Sequence, residues 1–147
     1  DSDFTPNGRL KWTPKRYNSK LYKLASTIAK IGLDTTGRTP TLIGVAEIEN
    51  KTVLNDLLAV DNLKKENYGY IHYDSPDERG IDNALIYDQR FFQILSSEPI
   101  PLIVYNLDGN QDMTRDILYV HGKLNEEEVH VFVNHWPSRR DGGHYNG

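Results

Sequence analysis

Up to about residue 60 the apolar residues of this chain recur at helical spacing on either side of one continuous run at Thr41 to Ile48, and from Tyr68 onward they fall into short runs separated by turn residues. That change of period constrains the fold more than any single motif, because a helix and a strand each bury only the residues that share a face. Thr13-Pro14 opens a helix, with Thr13 as N-cap and Pro14 at the first helical position. Tyr17, Leu21, Leu24, Ala25 and Ile28 follow at helical spacing, and Gly32 is the expected stop. Thr41 to Ile48 reads as a buried strand, apolar until Glu47, and Asn50 caps a second helix striped by Val53, Leu54, Leu57 and Leu58. The later strand candidates are Tyr70 to Tyr73, Asn83 to Tyr87, Phe91 to Leu95, Ile100 to Tyr105, Arg115 to Leu124 and Val129 to His135. Ser75 to Gly80 and Asn106 to Asn110 are turns or loops, and Leu124 to Val129 is a hairpin connection. Helix, strand, helix and then a meander predict an α+β fold, with helices on one side of a mixed, largely antiparallel sheet.

Composition narrows the function classes. A chain of 147 residues with 37% hydrophobic residues reads as one soluble domain, and no apolar run is long enough to span a bilayer. No signal-peptide pattern opens it, although a chain trimmed of an upstream export segment would look the same. With no Cys, disulfide and thiolate chemistry are excluded and the compartment stays undetermined. The net charge of -4 argues against a non-specific nucleic-acid coat. Locally, Arg9, Lys11, Lys15, Arg16, Lys20 and Lys23 cluster early, a pattern read as a solvated helix face.

The chemistry-bearing residues collect at strand ends. Val131 to Val133 runs into Asn134-His135-Trp136-Pro137-Ser138-Arg139, which puts an imidazole near a guanidinium. Such a pair suits a phosphate, since Arg binds it bidentately and His can donate a proton to a leaving oxygen. Glu47 ends an apolar strand; if buried, its carboxylate must pair, protonate or bind a metal, and the ordinary alternative is a salt bridge or a solvent-facing strand end. Asp82 and Asn83 begin another buried strand, where they could line a cleft or serve the turn before it. Arg115 stands at a strand start, with Asp112 and Asp116 as neighbouring ion-pair partners. His72, His121 and His130 lack metal-ligand spacing and read as core or exposed imidazoles.

Taken in order, Glu47-Ile48-Glu49-Asn50, Arg79 to Tyr87, Thr114 to Leu118 and Val133 to Arg139 resemble the endonuclease/exonuclease/phosphatase family. That family includes deoxyribonuclease I, abasic-site endonucleases, neutral sphingomyelinases and inositol-polyphosphate 5-phosphatases. The resemblance begins at about Phe4. It implies part of a four-layer αββα sandwich of the deoxyribonuclease I type, and metal-dependent phosphoester hydrolysis on a phosphate-ester substrate, nucleic acid among the options. Glu47 is similar to the family's metal-binding glutamate, which implies Mg²⁺, or Mn²⁺ or Ca²⁺ in its place. His135 and Arg115 resemble catalytic residues that contact phosphate, Asp82 resembles a polar residue lining the cleft, and Asn134 and Arg139 are the expected substrate-binding pair. The family's first strand with its Asn, its Gly-Asp-x-Asn segment and its final Asp-His pair have no counterpart in residues 1–147. The chain is therefore read as a single incomplete domain, lacking the first strand and the C-terminal half. Such a piece is expected to be inactive alone and to pair with its missing half or with itself. The alternative is a non-catalytic half-domain that acts as a binding or assembly fragment.

Overall fold

The computed structural model describes residues 2–105 and 109–136. After a 3-10 turn at Ser2–Phe4, helix α1 spans Pro14–Ile28. Thr13 holds an extended conformation and its hydroxyl accepts from the Arg16 N–H at 3.4 Å, so the helix starts where its cap and proline require. Leu21, Ala25 and Ile28 form its buried stripe, whereas Leu24 is 40% exposed. Burial here is set by the helices and sheet packed against α1, and Leu24 lies off the face that meets them. α1 ends at Ile28, before Gly32, whose φ of 69° instead turns the chain into the one-turn α2 (Leu33–Thr36).

Strand β1 (Leu42–Ile48) follows, then α3 (Lys51–Leu58) and the short α4 (Asp61–Lys64). The Asn50 side chain accepts from the Thr52 and Val53 N–H groups at 2.9 and 3.3 Å, which starts α3 abruptly at the end of β1. β2 (Tyr68–His72) and β3 (Asp82–Asp88) complete a sheet of order β1-β3-β2. A second sheet, of order β4-β7-β8, comprises Phe92–Ile100, Ile117–Leu124 and Glu127–Val133. β5 (Val104–Tyr105) and β6 (Gln111–Asp112) form a separate small ribbon. The α+β class holds, and the helices lie on one sheet. Every described strand pair is antiparallel, so the parallel part of the expected mixed sheet is not found among the described residues.

β3 explains the layering. All its residues except Tyr87 are buried, because it is covered on both faces. Ala84 and Ile86 join Leu21, Ala25, Leu54, Leu57 and Leu63 in a core between sheet and helices. Leu85 joins Ile71, Phe92, Leu118, Val120 and Val133 in a second core between the two sheets. The described layers are thus helix, sheet, sheet. The break expected between Leu95 and Ile100 does not occur: β4 continues from Phe92 to Ile100 along β7, with a register shift between Ile94 and Ser96, and of the separate strand expected over Ile100 to Tyr105 only Val104–Tyr105 pairs on its own. The hairpin joining β7 and β8 turns at Asn125, whose φ of 56° suits a tight two-residue connection. Val133 packs against Gly44 of β1, so the end of β8 is carried over the first sheet. No helix among the described residues is long and apolar enough to cross a membrane.

Candidate active site

The β1–β3 ladder slips at one residue. Ala46 pairs with Asn83 and Ile48 with Asp82, and Glu47 between them has no partner and a φ of 61°. A bulge with a left-handed, non-glycine residue is strained, and such strain collects at functional positions. Its effect is to take Glu47 off the strand's two faces and leave its side chain 65% exposed. The desolvation argument for a buried Glu47 therefore does not apply. Its carboxylate faces solvent beside the ring of His135, with Oε1 4.0 Å from Nε2.

His135 lies two residues beyond the end of β8 and is half-buried, its side chain 32% exposed. Nδ1 is buried without a hydrogen-bond partner among the described residues. The backbone carbonyl of His135 accepts from Arg115 Nε at 2.6 Å, and Arg115 Nη1 donates to Asp77 Oδ2 at 3.1 Å. Arg115 pairs with Asp77, 38 residues away in sequence, and not with Asp112 or Asp116. Both side chains are buried, at 5% and 4% exposure. The guanidinium thus lies beneath the site, where it fixes the chain that carries His135.

Asp82 is also buried. Its carboxylate accepts from the Ser75 N–H at 2.9 Å and the Ser75 hydroxyl at 2.7 Å, and lies 3.0 Å from His72 Nε2. Asn83 donates to the Asp116 carbonyl at 2.8 Å, which ties the start of β3 to the start of β7. Burial, followed by the charge of Asp82, raises the pKa of Asp116 above the usual carboxylate value. Among the described residues, His72, Asp74 and Asp82 are the group whose donor atoms, all within 4.8 Å, could hold a metal ion. Glu47 fits a hard cation differently, as one exposed carboxylate with room for water and substrate oxygens. Asn134 is exposed at the mouth of the site, and Arg139 lies outside the described residues.

The sequence reading did not single out Asp77, Ser75 or His72 as partners. Asp77 stands in a stretch read as a turn, and its Oδ1 does accept from the Arg79 N–H at 2.9 Å in the manner of a turn aspartate. Turn spacing says nothing of where the second carboxylate oxygen reaches.

A sequence profile of the Endonuclease/Exonuclease/phosphatase family matches residues 1–146. The chain belongs to this family. This family member matches 18 solved chains in structure. Among them, a crystal structure of humanized D. rerio TDP2 with 14 mutations superposes with a TM-score of 0.56 at 13% identity. The match covers 82% of this family member and 41% of the TDP2 chain, and at that identity it speaks for the fold alone. No curated protein matches in sequence. The helix–sheet–sheet arrangement is that of the deoxyribonuclease I-like fold.

Proposed function

We propose that the protein is a metal-dependent phosphoester hydrolase whose centre includes Glu47 and His135. The observation that carries this reading is the bulge: it holds a residue outside the β1–β3 ladder, at strain, with its exposed carboxylate 4.0 Å from an accessible imidazole. Glu47 would hold Mg²⁺, which supplies charge neutralisation at a phosphate oxygen when bound. His135 donates a hydrogen bond or a proton to a phosphate oxygen through Nε2. Arg115 positions the His135 backbone and adds positive potential from below. Asp82 supports the floor of the site through Ser75 and His72, and Asn134 and Arg139 serve the substrate. The family's water-activating base has no counterpart among these residues, so the 147-residue chain alone should turn over little.

The test is hydrolysis of bis-p-nitrophenyl phosphate with and without Mg²⁺. In a parent protein that carries the complete domain, Glu47→Gln and His135→Ala should each lower kcat by roughly 10²-fold or more. Parent-level rates in either variant would sink the assignment, and parent-level rates in the 147-residue chain would sink its expected inactivity. A second reading, a binding or assembly half-domain, is favoured by the outer face of the second sheet, where Leu95 and Phe132 are 43% and 54% exposed. A strictly monomeric chain in sedimentation, with no uptake of the remaining part of the protein, would count against it.

A further inference from the structure

The basic residues near the chain's start converge in the fold. Trp12, Lys15, Arg16, Ser19, Lys20 and Lys23 line one open cavity of about 340 Å³ along α1. The face of α1 that packs into the core is made by Leu21, Ala25 and Ile28, and all four cations are exposed. Arg9, Arg79, Arg90 and Arg115 each pair with a carboxylate. Lys15, Arg16, Lys20 and Lys23 pair with no carboxylate among the described residues, and Arg16 donates instead to the Leu10 backbone carbonyl.

This arrangement works against the helix itself. The first turn of α1 has no acidic residue and carries Lys15 and Arg16, where the positive end of the helix dipole disfavours cations. Arg16 and Lys20 are like charges four residues apart, which also repel. An anionic ligand would relieve both repulsions. Trp12 gives that ligand a second feature to meet. Its ring is set by an edge contact with Phe4 at 5.6 Å, and the Arg16 guanidinium lies over it at 5.6 Å. The guanidinium covers that face of the ring, so a base would stack on the guanidinium's outer side. From Lys15 to Lys23 the helix rises about 12 Å, a span of roughly three to four phosphates. No aliphatic side chain lines the cavity to enter a bilayer.

We propose that this groove binds the backbone of a single-stranded nucleic acid, with phosphates along Lys15, Arg16, Lys20 and Lys23 and a base on the Trp12–Arg16 surface. Calling that strand a substrate rests on the phosphoesterase reading; the binding itself does not. The test uses fluorescence anisotropy of a labelled 12-nucleotide oligothymidine, in EDTA so that no hydrolysis intervenes. Log affinity should fall with log salt at a slope of about −2 to −3, near −0.7 per phosphate contact. Lys15→Gln/Lys20→Gln should weaken binding roughly ten-fold at low salt and flatten the slope by about 1.4. Lys64→Gln/Lys65→Gln, on and beside α4, should leave binding unchanged. A groove variant that binds like the wild type would overturn the proposal, as would tighter binding to phosphatidylserine vesicles than to the oligonucleotide. Failure of the parent to hydrolyse bis-p-nitrophenyl phosphate would remove the catalytic reading and leave this one standing.

Discussion

Replacing Asp77 with Asn removes one charge from a buried pair and leaves Arg115 uncompensated. The two side chains are 4% and 5% exposed and 3.1 Å apart. At an effective dielectric of about 20, the gross attraction at that distance is about 5 kcal/mol, most of it opposed by the desolvation of both ions. The loss on breaking such a pair is larger than its net worth, because the remaining charge stays buried, and it is expected at about 3 kcal/mol. In a domain of this size that lowers Tm by roughly 6–12 °C. Urea unfolding followed by circular dichroism would measure it, with Arg115→Met and the double variant closing the cycle. Arg115→Met also removes the donor to the His135 carbonyl, so its cost should exceed that of a pure charge deletion. The double variant should then recover part of the loss of either single one. If Asp77→Asn costs less than about 0.5 kcal/mol, or if the two losses simply add, the pair is not the strut described above.

Glu47→Gly should relieve the left-handed strain and raise stability by about 1 kcal/mol; a fall in Tm would show that the bulge is not strained. Burial, then the hydrogen bond to Asp56, pushes the Tyr17 hydroxyl up to about 12. The folded state therefore resists an ionisation that the unfolded chain undergoes at 10, and stability should fall as pH rises from 10 to about 12. Tyr17→Phe should flatten that part of the curve in urea titrations, and an unchanged slope would refute the assignment. At Gly122 an added Cβ would meet the Phe92 ring and the Gln93 carbonyl. Gly122→Ala should cost about 1–3 kcal/mol by the same unfolding assay, and a neutral outcome would mean that the sheet yields there.

Local chemistry made much of the fold legible. Thr13-Pro14 and Asn50 cap their helices as read, because a cap is a contact between residues two or three apart. Most apolar runs identified strands, the expected strand over Ile100 to Tyr105 being the exception, and the Asn134-His135 block was the most specific mark of the family. Leu24 was misplaced because helical spacing gives a stripe but not its centre, which depends on the element packed against it. The strand break expected after Leu95 failed for a related reason. Pairing with β7 continues through that point, and cross-strand hydrogen bonds are invisible in a run of side chains.

The site divides along the same line. From sequence alone came the residue types at the strand ends: Glu47, Asp82, Arg115 and His135, with the family they indicate. Only the tertiary structure decided their stations. It put Glu47 in solvent, since a bulge is a mismatch between two strands and belongs to neither sequence segment. It buried Arg115 against Asp77 and gave Asp82 to Ser75 and His72, because a side chain's partner is set by which loops the sheets bring together. It also turned an early scatter of lysines into one groove beside Trp12, since only a formed helix brings residues three and four apart onto one face.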